Sequence, residues 1–146
     1  MYTSERDKLR QHYADIWQKA RNNQPLDALE QQIAQVIDQH PEYHKMLENK
    51  QHLKNEYLPE MGETNPFLHM GMHLGIREQV ATDRPAGIAQ VHRVLTLKHG
   101  SVLEAEHDMM ECLAEALWHS QKNQQAPDEQ AYLLCLQQRA GKIKAD

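Results

Sequence analysis

The chain has 146 residues, a formal charge of −5 and a hydrophobic fraction of 40%. That length suits one domain with a substantial buried core. Basic residues scattered singly over a net acidic chain exclude the electrostatic footprint of a nucleic-acid binder, or of a protein drawn to anionic membranes. Gly and Pro are scarce, at six each, while Leu, Gln, Glu, Ala and Met are plentiful, a mixture that favours helices over strands.

The opening MYTSERDKLRQHY carries no apolar stretch of the secretory kind, and no run of about 18 apolar residues occurs anywhere; the expected location is the cytoplasm. Cys112 and Cys135 have neither CxxC nor zinc-ribbon spacing. Both are expected to be reduced packing residues.

From Thr3 to about Asn22, Leu9, Tyr13, Ile16, Trp17 and Ala20 recur at helical spacing, with His12 at the stripe's edge. After the turn at Asn22–Gln24 and Pro25, a second stripe comprises Leu26, Leu29, Ile33, Val36 and Ile37. His40 extends it, and Pro41 interrupts it. Pro41 also suits the first position of a new helix, PEYHKMLENK, in which His44 and Glu48 share a face with Leu47. That spacing fits a chelating pair and equally a surface contact. Gln51 to Thr64, with Pro59 and Gly62, contains a loop long enough for a lid or a homo-oligomer contact.

The central stretch is NPFLHMGMHLGIREQV. Asn65 can cap and Pro66 can open the first turn. His69 and His73 then fall on one stripe with Met72, Ile76 and Val80, while Phe67, Met70 and Leu74 lie around the other side. A helix apolar over most of its circumference belongs near the middle of a bundle. Buried imidazoles there require a hydrogen-bond partner or a metal.

The next helix is expected to have Asp83 as its cap, Pro85 in its first turn, and Ile88, Val91, Val94 and Leu95 on its apolar side. His92 and His99 lie within the same stripe, and Gly100 is a left-handed C-cap that makes His99 a cation at a helix C-terminus. Ser101 and Glu104 form a capping box for a helix over about Val102 to His119. Its projected core face is Leu103, Met110, Leu113, Ala114 and Leu117, with Glu106 inside it, His107 at its border and Glu104 turned towards solvent. A carboxylate in that position needs a partner. For Arg77 and Glu78 on the central helix, the preferred reading is ion pairing to neighbouring helices. Pro127 to Arg139, with Ala131, Leu134, Cys135 and Leu136, closes the chain as a helix ahead of a polar tail from about Gly141.

No dinucleotide, P-loop, nucleophile-elbow or zincin motif is present. What remains is a set of nitrogens and carboxylates: His40, His44 with Glu48, His69 with His73, His92, and Glu106 with His107 and Glu111. Side chains at i,i+4 aim at one point, and helices of a bundle can converge such pairs on iron, manganese or zinc.

The strings NPFLHMGMHLGIREQVATDRPAGI and AEHDMMECLAEALW, with the earlier HPEYH, resemble a small bacterial family known only as a conserved domain of unknown function. The resemblance runs from about His40 to the last helix. It implies a helical bacterial cytosolic protein and directs attention to Asn65, Pro66, His69, His73, Glu106 and His107, but transfers no activity. The vocabulary of His-x-x-x-Glu, His-x-x-x-His and Glu-x-x-His is more loosely similar to haemerythrin-like, DinB-like and ferritin-like bundles, without their paired repeats or ligand order.

The expected fold is an all-α, single-domain bundle of about five to seven helices around the Asn65–Ala81 helix. The leading functional expectation is a metal-binding bundle in which His69, His73 and His107 supply nitrogen and Glu106 a carboxylate, with His44, Glu48 and Glu111 in reserve. An open coordination position would permit metal-assisted hydrolysis or oxygen chemistry. The alternative is a non-catalytic interaction or scaffold protein whose buried His and Glu network only fixes helix packing.

Overall fold

The structure, a computed structural model, describes residues 5–49 and 65–141. The expected loop from Gln51 to Thr64 lies outside the described residues, as does the tail beyond Gly141. Among the described residues the chain is all-α, and its contacts divide it into two packed units, residues 1–74 and 75–146. No described helix is long and apolar enough to cross a membrane.

The first unit holds α1 (Glu5–Arg21), α2 (Ala28–Asp38), a 3-10 turn (Pro41–Tyr43), α3 (His44–Glu48) and the first half of α4 (Pro66–Thr82). Asp27 starts α2 with a complete capping box: its carboxylate accepts from the Glu30 amide at 2.8 Å, and the Glu30 side chain accepts from the Asp27 amide. The core combines Tyr13, Ile16 and Trp17 of α1 with Ile33, Val36 and Ile37 of α2, Met46 and Leu47 of α3, and Phe67 and Met70 of α4. Leu29, expected in the α2 stripe, is 60% exposed because it stands a turn before this packed stretch. Arg10 is the reverse case, a charged residue buried on the α1 face, with its guanidinium 5.0 Å from the centre of the Phe67 ring. A cation over an aromatic face retains part of the stabilisation that water would supply.

In the second unit the later half of α4 is followed by α5 (Ile88–His99), α6 (Val102–Asn123) and α7 (Glu129–Gly141), the last three packed pairwise on one another. Asp83 does cap α5, but from a distance: its Oδ1 accepts from the amides of Gly87 and Ala89. Pro85 therefore precedes the helix, and Gly87 takes the N-cap place at a φ of 107°, open to glycine and strained for other residues. Gly100 closes α5 at a φ of 68°, as expected. Asp128 caps α7 through the Ala131 amide, so this helix starts two residues later than Pro127.

Three expectations about the second unit are corrected. The buried face of α6 is Ala105, Glu106, Met109, Met110 and Cys112, whereas Ala114 and Leu117 are exposed. Contact with both α5 and α7 turns the helix towards its small and flexible side chains, away from the line of leucines. On α7 the buried positions are Tyr132 and Leu136, and Leu134 faces solvent. Cys112 and Cys135 are not reduced packing residues: they form a disulfide between α6 and α7, with Cα atoms 5.8 Å apart. That separation lies within the bonding range, which a spacing of 23 residues on two different helices conceals.

Buried charge in this unit is paired. Glu106, 1% exposed, receives Arg77 Nε at 3.0 Å and Nη2 at 3.0 Å across its two oxygens, with His92 Nε2 at 3.9 Å. Arg77 thus makes the interhelical ion pair that the sequence favours. Asp108 accepts from His99 Nε2 at 3.1 Å and from Arg139. Burial pushes the Asp108 carboxyl up, but the hydrogen bonds from His99 and Arg139 outweigh it and hold the group below the ordinary aspartate range.

Glu106→Ala is expected to cost about 3–5 kcal/mol by stranding Arg77; chemical denaturation measures this, and the Arg77→Met/Glu106→Leu pair should recover most of it. Because folding lowers the Asp108 pKa, its contribution is complete above the unfolded value of about 3.9 and is lost as pH falls through the lower folded value. The stability gap between wild type and Asp108→Asn should accordingly be open at about pH 5 and close in stronger acid, as followed by urea unfolding between about pH 2 and 5.

Candidate metal centre

The site in the first unit is built from the start of α4 and the end of α2. Asn65 Oδ1 accepts from the amides of Phe67 and Leu68, at 2.9 and 3.3 Å, with Pro66 in the first turn. This cap fixes where α4 begins and hence its phase. His69 and His73, one turn apart, project together: their ring centres are 4.8 Å apart and their Nε2 atoms 3.2 Å apart. His73 is fully buried and His69 partly buried.

The third member is His40, which the sequence places among the nitrogen candidates but not in the preferred ligand group. α2 ends at Asp38 with Gln39 as its C-cap, and Pro41 holds the chain in the following 3-10 turn. His40 between them is buried, with its ring centre 4.8 Å from that of His73 and 5.1 Å from that of His69. Its Nδ1 lies 2.8 Å from the Val36 carbonyl oxygen. A carbonyl only accepts, so Nδ1 carries a proton, and in the neutral ring Nε2 then holds the lone pair. Tyr43 stacks on the His40 ring at 5.5 Å, nearly parallel, and meets His69 edge-on. One nitrogen from each of His40, His69 and His73 lies within 4.8 Å of the other two.

These distances suit a metal. With Zn–N bonds of 2.0–2.1 Å, two imidazole nitrogens on a tetrahedral ion stand about 3.3 Å apart, close to the observed His69–His73 separation. The His40 tautomer is the one that metal-ligating histidines adopt when the remote nitrogen donates to a carbonyl. The three donors are half or more buried, and among the described residues no carboxylate stands with them.

Of the remaining expected residues, His44, Glu48, Glu106 and Glu111 have other engagements. His44 Nε2 donates to the Ile37 carbonyl at 2.8 Å, and its ring lies 4.3 Å from that of Trp17. Glu48 accepts from the Trp17 indole N–H at 3.1 Å and pairs with Arg21; the indole bond and then the Arg21 charge hold its carboxyl below the ordinary range despite an opposing effect of desolvation. The chelating reading of His44 with Glu48 is thereby replaced by two separate contacts. In the second unit, Glu106 is held by Arg77, and Glu111 is exposed beside Arg139 Nη2 at 3.3 Å. His107 Nδ1 lies 3.2 Å from Glu104 Oε2. Glu104 is exposed, as its projection indicates, and its amide donates to the Ser101 cap, but its side chain is on His107, so only the Ser101 half of the expected capping box forms.

Compared with known proteins, residues 5–138 match the profile of a family described as a domain of unknown function, DUF1841. No curated protein and no solved structure matches the chain.

In metal-free protein the His40 ring should be protonated at Nδ1. Long-range 15N–1H correlation spectra are expected to give Nδ1 a pyrrole-like shift and Nε2 a pyridine-like one; the opposite pattern would mean that the bond to Val36 is absent.

Proposed function

The chain belongs to the DUF1841 family, and within it we propose that this protein is a metal-binding helical protein whose centre is His40, His69 and His73. One observation carries the reading: two imidazole nitrogens at 3.2 Å on one helix, with a third imidazole, bonded to the Val36 carbonyl, against them from the segment after α2. Three neutral nitrogen donors suit zinc or iron better than manganese, which prefers oxygen. A divalent ion among them keeps its full charge in a buried place, so a fourth position must go to water, an anion or one further side chain. An exchangeable fourth position is also where substrate or activated water would bind in a catalytic site.

A second reading has its own support. His40 donating to Val36, and one of the His69 and His73 nitrogens donating to the other, satisfy hydrogen bonds without any ion. In that case the three rings only fix the packing of α2 against α4, as in a scaffold or interaction protein.

Elemental analysis of tag-free protein purified without chelator separates the two. Near-stoichiometric zinc or iron is expected, lost in His69→Ala/His73→Ala, reduced at least tenfold in affinity by His40→Ala, and retained in His44→Ala/Glu48→Gln. Chelator should lower the melting temperature of wild type and of His44→Ala/Glu48→Gln but not that of His69→Ala/His73→Ala, because a ligand that binds the folded state stabilises it according to its occupancy. Protein that stays metal-free after anaerobic reconstitution with both ions, and melts independently of chelator, would establish the packing role instead.

A further inference from the structure

The Cys112–Cys135 bridge forms part of the wall of a cavity of about 300 Å³ between α6 and α7. The two sulfur-bearing residues differ in access: Cys112 is 1% exposed on the packed face of α6, while Cys135 is partly exposed. The cavity also presents Ser120, Asn123 and two carboxylates, Glu115 and Asp128, with His119 Nε2 3.8 Å from Glu115 Oε1. A disulfide buried in apolar packing is inert, whereas one that opens onto a polar cavity can be reached by a small thiolate.

We propose that this cavity is a thiol–disulfide exchange site, selective for small thiols that carry an amine, with Cys135 as the sulfur attacked. The incoming thiolate approaches Cys135 Sγ from the cavity, on the side away from Cys112. The new S–S bond forms to Cys135 as the old one breaks, and the electron pair leaves on Cys112, which takes a proton from solvent. A second thiolate attacks its own kind in the mixed disulfide, releasing the external disulfide and leaving Cys135 as a thiol. The pair thus gains two electrons and two protons, and two external thiols are oxidised to one disulfide. Glu115 and Asp128 attract an ammonium group and repel a carboxylate, which sets the preference. Opening the bond leaves α7 anchored: Tyr132 donates to Gln79 Oε1 at 2.7 Å, and Arg139 holds Asp108 and Glu111.

The test compares cysteamine with 3-mercaptopropionate, thiols of similar size and opposite charge, on folded full-length protein at equal thiolate concentration. Alkylation with N-ethylmaleimide and peptide mapping then locate the products. Cysteamine is expected to open the bridge at least about fivefold faster at low salt, with the advantage shrinking as salt screens the cavity or as Glu115→Gln removes one charge. The trapped adduct should sit on Cys135, with maleimide on Cys112. Cys112→Ser should leave a Cys135 that takes up cystamine, while the lone Cys112 of Cys135→Ser reacts at least tenfold more slowly. Adducts on Cys112, equal rates for the two thiols, or a bridge that opens only under denaturant would each overturn the proposal.

Discussion

A carboxylate on the packed face of a helix must be neutralised where it lies, and in the second unit that requirement is met by Arg77 on Glu106. Two of the arginine's nitrogens span both carboxylate oxygens. Such a fork is geometrically exacting, because a planar guanidinium pairs in this way over a narrow range of helix positions. The face that α6 turns inward is therefore the one that brings Glu106 to Arg77, with Ala105, Met109 and Cys112 following it into the interior. Small, sulfur-containing and flexible side chains tolerate close helix approach better than a row of leucines does.

The first unit places the Arg10 guanidinium over the Phe67 ring and otherwise buries imidazoles, which contact one another and the end of α2. A histidine just past a helix C-terminus has a bare carbonyl within reach one turn back, as His40 has in Val36. Using Nδ1 for that bond turns Nε2 towards the other two rings, so an ordinary helix-terminal contact also determines what the cluster can bind. Among the described residues no carboxylate joins the three rings, unlike the carboxylate-rich centres of ferritin-like bundles. It favours a borderline-soft ion over a hard, oxygen-seeking one.

Much of the fold was legible because its signals are local. Asn65, Ser101 and Gly100 perform the capping roles their identities indicate, since a cap requires only a side chain and its own backbone. Asp83 shows the limit: it does cap, but the turn that follows delays α5 to Ile88, and where a turn releases the chain is not a local property. Faces were less legible than boundaries. Leu29 and Leu134 belong to apolar stripes and still face solvent, because periodicity shows which residues share a side and not how far the neighbouring helix extends. For the candidate site, the pairing of His69 with His73 follows from the pitch of a single helix. His40 could be recognised as a histidine on an apolar stripe, but its approach to the other two depends on how two helices cross. His44 and Glu48 illustrate the converse, since correct spacing was present and each side chain found a different neighbour.

By itself, then, the sequence determined the helical class, most helix limits, the one-turn pairing on α4 and the need for a partner at Glu106, all of which arise from interactions within a turn or two of chain or from the cost of burying a charge. Tertiary structure alone decided that Arg77 is that partner, that His40 completes the group of rings, and that Cys112 and Cys135 meet. Each of these joins residues from separate helices. Their distance depends on crossing angle and axial shift, which packing sets and helical periodicity does not encode.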